Sequence, residues 1–257
     1  MTMPVARPVL VARPVLAVLF VLAACAQPYR SDPRPPAPEE RLRLAAIAEA
    51  HGNAEVALSI YRNAAAAAPD HVETQIRYAH AAARQGASHE AVEALQRLLS
   101  RRPADRAALL ALARLQLRAG SLTEAETLFR RALALEPRDA EALNGLGVAA
   151  DLAGEHSRAQ EFYRRALEVA PKHAGVRNNL ALSLALSGQA AEAERLFEDL
   201  RAGGNGDVRV RHNLGLVAAM RGRLAEARSL VAPELDADSF AAFASAAAAL
   251  ASTPVPR

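Results

Sequence analysis

The side chains that could carry out catalysis are scattered through this 257-residue sequence without the spacing that catalysis needs. Seven histidines occur, and none stands in an HExxH pattern or at another spacing typical of metal ligands. They are His51, His71, His80, His89, His156, His173 and His212. The sequence also lacks a G-x-S-x-G nucleophile elbow and a Walker phosphate loop. We therefore predict that the protein is not an enzyme, with no catalytic residue, no metal site, no cofactor and no small-molecule substrate.

The single cysteine, Cys25, is the one reactive side chain whose sequence context indicates a definite chemistry. Residues 1–24 carry Arg7 and Arg13, followed by an uncharged apolar run from Val15 to Ala24. This run is about half of the roughly 20 residues that a membrane-spanning helix needs. Positive charge, a short apolar run and small residues at its end are typical of a secretory signal peptide. We expect residues 1–24 to be such a signal.

The end of this segment, Leu22-Ala23-Ala24-Cys25, resembles the lipobox of bacterial lipoproteins. The resemblance implies cleavage before Cys25, acylation of its thiol and of the new amino group, and, with Ala26 following, transport to the outer membrane. Several buried acyl chains, at about 0.8 kcal/mol per CH₂, would make such an anchor effectively permanent. Residues 25–38 are rich in proline, which predicts an extended tether. A plain signal peptide with an incidental cysteine is the alternative.

Basic and amide side chains form a second group, suited to binding and not to catalysis. His80 and Arg84 are four residues apart, as are Arg114 and Arg118, so each pair shares one face of a helix, with Arg77 one turn away. Asparagine and histidine follow at equivalent positions, namely Asn144, Asn178, Asn179, His212 and Asn213. Guanidinium groups bind carboxylates through charge-assisted hydrogen bonds. We predict that Arg84 and Arg114 hold an acidic or C-terminal peptide group, the alternative being a solvated helix face.

A 34-residue period determines where these side chains are placed. Glycine recurs at this interval, alanine follows five residues after each glycine, and four prolines keep the same interval. The glycines are Gly52, Gly86, Gly120, Gly154, Gly188 and Gly222, the alanines Ala57, Ala91, Ala125, Ala159, Ala193 and Ala227, and the prolines Pro69, Pro103, Pro137 and Pro171. A period of this length indicates stacked structural repeats, which usually bind other proteins.

Each repeat reads as a helix, a glycine turn, a second helix and a proline stop. Ser121 to Glu124 has the form of a capping box for the second helix of the third repeat. Asp139 is placed to cap the helix that follows Pro137, and Asp105 and Asp207 occupy the same phase. Asp238 is placed to cap a last helix that runs to about Ala251.

This pattern resembles the tetratricopeptide repeat. The residues that carry the resemblance are a pair in the first helix and a large residue in the second. The pairs are Leu44-Ala45, Tyr78-Ala79, Leu112-Ala113, Leu146-Gly147, Leu180-Ala181 and Leu214-Gly215, and the large residues are Tyr61, Leu95, Phe129, Tyr163, Phe197 and Val231. The resemblance implies an all-α superhelical solenoid of about six helix-turn-helix repeats over residues 39–241, whose first helices line a concave groove. Residues 242–257 then hold the end of a capping helix and a disordered tail.

Composition argues against a nucleic-acid partner. The formal net charge is only +3, Lys172 is the single lysine, and no dense basic tract exists to neutralise a phosphate backbone. The expected partner is a protein or a peptide segment.

The last two repeats resemble the TadD group of tight-adherence (Tad/Flp) pilus lipoproteins. The resemblance lies in residues 178–182, 210–216 and 223–227 and in the alanine-rich end that follows. It implies a lipoprotein on the periplasmic face of the bacterial outer membrane that assists assembly of a secretin pore. A periplasmic scaffold that recruits peptidoglycan enzymes is the alternative.

Overall fold

A computed structural model describes residues 37–205, 207–232 and 234–252, and all regular structure in this part of the chain is helical. The predicted all-α solenoid is confirmed: thirteen α-helices and one π-helical turn, Arg201–Asn205, follow one another without a β-strand in the described ranges. The helices are α1 (Pro38–Ala50), α2 (Ala54–Ala67), α3 (Val72–Arg84), α4 (Ser88–Arg101), α5 (Arg106–Arg118), α6 (Leu122–Leu135), α7 (Ala140–Leu152), α8 (His156–Val169), α9 (Ala174–Leu186), α10 (Ala190–Leu200), α11 (Val208–Met220), α12 (Leu224–Val231) and α13 (Ala237–Ser252).

The helices pack in sequence order as six antiparallel pairs. Each odd-numbered helix from α1 to α11, called an A helix, packs against the B helix that follows it, and each B helix packs against the next A helix. The A helices also contact one another from pair to pair, from α1 through α11. Side chains at equivalent positions of successive A helices therefore lie side by side on one face of the stack.

The periodic glycines end the A helices. All six have positive φ, as at Gly120 with φ +78° and Gly188 with φ +84°. The residue after each glycine donates its backbone N–H to a carbonyl five residues earlier, as Ser121 does to Gln116 at 2.9 Å. This is the Schellman turn, and it needs a left-handed residue that only glycine adopts without strain.

Side chains before the A helices cap their N-termini. Asp105, Asp139 and Asp207 accept hydrogen bonds from backbone N–H groups of the first turn, as predicted. His71 and His173 use Nδ1 in the same way, each accepting at 3.3 Å. These two histidines thus satisfy helix donors that would otherwise lack a partner.

Two capping predictions are wrong. Ser121 stands before α6, but its side chain makes no capping hydrogen bond, because the Schellman turn already places its backbone at φ −81° and ψ 71°, outside the extended conformation that a capping serine adopts. The last helix begins at Ala237, and Asp236, not Asp238, accepts the N–H of Ser239 at 2.8 Å.

The core lies between the helices and is built from alanine beside one large side chain per B helix. The six periodic alanines are fully buried, and the six large residues from Tyr61 to Val231 are at most 2% exposed. Alanine lets neighbouring helices approach closely, and each buried large side chain stabilises the stack by about 1.5–3 kcal/mol. Leu44 departs from this pattern. It is 51% exposed although its equivalents are buried, because no B helix precedes α1 in the part of the chain that the structure describes.

Candidate functional site

The predicted binding residues all lie on A helices. Arg77, His80 and Arg84 are on α3, Arg114 and Arg118 on α5, Asn144 on α7, Asn178 and Asn179 on α9, and His212 and Asn213 on α11. Within this set, three residues form a basic cluster on α3 and α5, and four asparagines form a chain on α7, α9 and α11. We call the face that carries both sets the groove.

Four asparagines form a continuous hydrogen-bonded chain across three A helices. Asn213 donates Nδ2 to Oδ1 of Asn178 at 3.0 Å, and Asn179 donates Nδ2 to Oδ1 of Asn144 at 3.0 Å. Asn178 joins the two halves by donating to Asn179 at 3.4 Å. We call this chain the asparagine ladder. The amide N–H groups of Asn144 and the carbonyl oxygen of Asn213 at its two ends make no hydrogen bond within the described residues, so both ends can bind a further group.

The basic cluster consists of His80 on α3 and of Arg114 and Arg118 on α5. Burial lowers the pKa of His80, and the positive charges of Arg118 and Arg114 lower it further, so its ring is neutral near pH 7. Arg114 donates to Glu141 at 3.1 Å, whereas Arg118 has no ion-pair partner in the described ranges. The cluster therefore holds one compensated and one uncompensated guanidinium beside a neutral imidazole.

The remaining basic residues are engaged within the protein. Arg77 pairs with Glu73 at 2.8 Å one turn away on α3, and Arg84 pairs with Glu49 of α1. At the other end of the groove, His212 lies 3.2 Å from Glu234. The structure therefore does not bring Arg84 and Arg114 together as a free pair. Among the arginines predicted to bind a partner, Arg118 is the one without an ion-pair partner in the described residues.

A hollow of about 300 Å³ lies between the basic cluster and the asparagine ladder. It forms at Gly145, where the equivalent positions of α3, α9 and α11 carry Arg77, Asn179 and Asn213 and that of α5 carries the small Ala111. An added Cβ at Gly145 would lie 2.3 Å from the ring of Phe129. The lining residues are Arg114, Leu117, Phe129, Glu141, Asn144, Gly145, Val148 and His173. Sequence reasoning missed this hollow, although the two small residues in this series, Ala111 and Gly145, are visible in the repeat.

A second feature that the sequence did not indicate is a polar junction around Asp151. Its carboxylate accepts hydrogen bonds from Tyr163 at 2.9 Å and from Ser183 at 2.7 Å, and lies 2.9 Å from Nδ1 of His156. Burial, then the Asp151 charge, raise the pKa of Tyr163. Serine, histidine and aspartate form the catalytic triad of many hydrolases. Here both Ser183 and His156 contact the Asp151 carboxylate, which lies between them, and Ser183 is buried. The arrangement joins α7, α8 and α9 structurally.

Two searches of the described residues bear on metal binding and membrane insertion. Among the described residues, no group of three or more His, Cys, Asp or Glu side chains is placed to bind a metal ion. Over the same residues, no helix combines the length and the hydropathy required to cross a bilayer. Cys25, the predicted lipidation site, lies outside the described residues.

Comparison with known proteins shows which repeat this is. Models of the tetratricopeptide repeat match residues 42–106, 78–135, 110–175, 152–212 and 208–233. A search of the curated proteins found no significant match.

Solved structures show the same fold at low sequence identity. A tetratricopeptide repeat protein from Parabacteroides merdae has a TM-score of 0.71 at 14% identity, covering 85% of this chain and 87% of its own. The pilF protein of Pseudomonas aeruginosa has a TM-score of 0.63 at 16% identity, covering 81% and 97%. A thermophilic repeat protein from Thermus thermophilus has a TM-score of 0.61 at 21% identity, covering 70% and 98%.

Proposed function

Because the chain belongs to the tetratricopeptide repeat family, a family of protein-interaction scaffolds, we propose that it is a non-enzymatic adaptor holding an extended segment of a partner protein in its groove. The asparagine ladder is the observation that carries this proposal. Amide side chains both donate and accept hydrogen bonds, so they can pair with a peptide backbone whatever its sequence.

The spacing of the ladder matches an extended chain. Packed helices lie about 8–10 Å apart, and an extended peptide rises about 3.3 Å per residue. One A helix therefore corresponds to about every third residue of a bound segment. The ladder spans α7, α9 and α11, which is enough to fix the direction and register of six or so residues.

The features next to the ladder add specificity for side chains. The hollow at Gly145 has an aromatic wall, Phe129, and a half-buried aliphatic side chain, Val148, and it accepts an apolar side chain of the segment. Arg118 lies on α5, on the side of the hollow that faces α3. Its guanidinium has no ion-pair partner in the described residues and can donate hydrogen bonds to a carboxylate. The preferred segment thus has an acidic group or C-terminus near α5, an apolar residue at α7 and an extended backbone along α9 and α11.

The cellular role that we propose follows from the sequence and not from the fold. The lipobox-like end at Cys25 supports a lipid anchor, and the resemblance of residues 178–227 to the TadD group supports the periplasmic face of the outer membrane. The partner segment would then belong to an outer-membrane secretin of a tight-adherence pilus. Mass spectrometry of the native protein tests the anchor: the expected N-terminus is an acylated Cys25, and an unmodified thiol would contradict it.

Co-purification with ladder variants tests the groove. Asn178→Ala with Asn179→Ala removes the middle of the ladder, and Thr123→Ala with Thr127→Ala, on the exposed surface of α6, is the matched control. We expect the solubilised wild type and the control to retain a secretin and the ladder variant to lose it, with thermal unfolding showing that both variants are folded.

The identity and behaviour of the co-purified protein decide between the readings. Retention by the ladder variant at the wild-type level would contradict peptide capture in the groove. Recovery of cell-wall enzymes, in a manner that depends on the ladder, would contradict the pilus role and leave groove binding supported.

A further inference from the structure

The N-terminal end of the helix stack presents an apolar surface that has no cover in the described structure. Leu44 and Ile47 on α1 are 51% and 55% exposed, and Val56 on α2 is 54% exposed. We call these three residues the end face. At the opposite end of the stack, α13 packs against α11 and α12 and covers the last pair.

The same positions are buried in every other A helix. Residues equivalent to Leu44 are at most 7% exposed, and those equivalent to Ile47 are at most 4% exposed. They are Tyr78, Leu112, Leu146, Leu180 and Leu214, and Ala81, Leu115, Ala149, Ser183 and Val217. They are buried because each of the later A helices packs against a preceding B helix. The first pair thus has the side chains of an internal repeat, but no helix packs on them within the described residues.

Val56 shows that the end face is apolar where the repeat elsewhere is charged. Its equivalents in the other B helices are Glu90, Glu124, Arg158, Glu192 and Glu226. Two of them bond the preceding B helix, Glu90 to Arg62 at 3.0 Å and Arg158 to Glu126. Solenoids require terminal repeats with a polar outer face for solubility. An aliphatic residue at this position of the terminal repeat therefore indicates a surface that is covered by a protein.

We propose that the end face is covered by the end face of a second copy of this chain, with the two α1 helices antiparallel about a two-fold axis. Glu40, Leu44 and Ile47 on α1 and His51, its C-cap, fall at i, i+4, i+7 and i+11, which places them in one stripe. In an antiparallel pair centred between residues 45 and 46, Leu44 lies opposite the second copy's Ile47. Glu40 then lies opposite the second copy's His51. The stripe is therefore self-complementary in shape, and the Glu40 carboxylate faces an imidazole that can donate a hydrogen bond to it, as an isologous interface requires.

The residues that precede α1 are a poor alternative cover. The end face fits a helix, since its equivalents all pack against one, and prolines at positions 28, 33, 35 and 36 disfavour a helix there. A contact limited to the two α1 helices buries less surface than about 1,200 Å², the lower end of the range for standard interfaces. The dimer is therefore weak and concentration-dependent.

Sedimentation equilibrium of the full-length protein in density-matched detergent tests the pairing. Glu40→Arg removes the acceptor for the second copy's His51, and His51→Glu places two carboxylates together, each twice per dimer, so each is expected to weaken association roughly tenfold. The double variant places opposite charges at both contacts and is expected to return within about threefold of wild type. Leu152→Gln, which changes a leucine that is 59% exposed elsewhere on the stack, is the control and leaves association unchanged.

All variants have the same N-terminal segment. Two copies that share one detergent micelle would therefore do so equally in every variant, and this cannot produce a difference between them. A wild type that is monomeric at every concentration would overturn the proposal. So would a double variant as weak as the single ones, which would point to a cover other than an antiparallel second copy. The inference does not rest on groove binding, and failure of either leaves the other standing.

Discussion

Gly147→Ala on α7 tests the packing that sets the distance between the two helices of the fourth pair. A Cβ added at Gly147 would lie 2.4 Å from the ring of Tyr163 on α8, where ordinary contacts begin near 3.4 Å. The ring cannot move away easily. Tyr163 is 1% exposed, and its hydroxyl donates to Asp151 at 2.9 Å.

The expected cost combines two opposing effects. Overpacking a tight core destabilises a protein by about 1–3 kcal/mol, and an overlap of about 1 Å with a held ring belongs at the upper end. Replacing glycine by alanine within a helix stabilises it by about 1 kcal/mol. We therefore expect Gly147→Ala to lower the free energy of unfolding by about 2 kcal/mol.

A double-mutant cycle in urea isolates the clash from the helix effect. Together with Gly147→Ala, Tyr163→Leu gives the fourth pair the alanine and leucine that Ala79 and Leu95 supply in the second. In that background, Gly147→Ala is expected to be neutral or to stabilise by up to about 1 kcal/mol, so that the coupling energy is about 2–3 kcal/mol. An equal cost of Gly147→Ala in both backgrounds would refute the reasoning.

Three further predictions concern stability. Asp139→Asn is expected to cost about 2 kcal/mol at pH 7 in urea unfolding. Burial raises the pKa of Asp139, but hydrogen bonds from Arg106 and from backbone N–H groups outweigh burial and leave the pKa below its usual value. This stabilisation is therefore present above about pH 4 and is lost as the pH falls through the lowered pKa. His80→Gln should flatten the decline in stability below about pH 6.5, because the lowered pKa of His80 makes the folded protein resist protonation; an unchanged pH dependence would contradict this. Gly120→Ala should lower the free energy of unfolding by about 1 kcal/mol through backbone strain alone, since φ is +78° and no atom lies within 4 Å of the new Cβ; no loss would contradict the role of the turn.

Local repetition made most of the fold predictable. Gly120, Ala125 and Phe129 each have a role fixed within about ten residues, as a turn, a close contact and a core side chain, so the period alone placed them. Leu44 matches the repeat pattern and is exposed, since burial at that position depends on a preceding helix. A local pattern cannot show which helices lie beside a given position.

The site was predictable only in part, because its geometry joins residues about 35 positions apart. The sequence places Asn144 and Asn179 on corresponding faces, but their 3.0 Å hydrogen bond depends on how successive pairs stack. The ion pair of Arg84 with Glu49 arises in the same way, and it occupies a guanidinium that the sequence suggested was free. The role of Cys25 remains a prediction.

Site-specific photo-cross-linking in intact cells tests the central claim most directly. A photoreactive residue replaces either Val148, inside the groove, or Thr127, on the exposed surface of α6. Capture of a partner segment in the groove predicts a discrete cross-linked adduct from position 148 and none from position 127. An adduct from position 127 alone, or none from position 148 while the partner still co-purifies, would contradict the account.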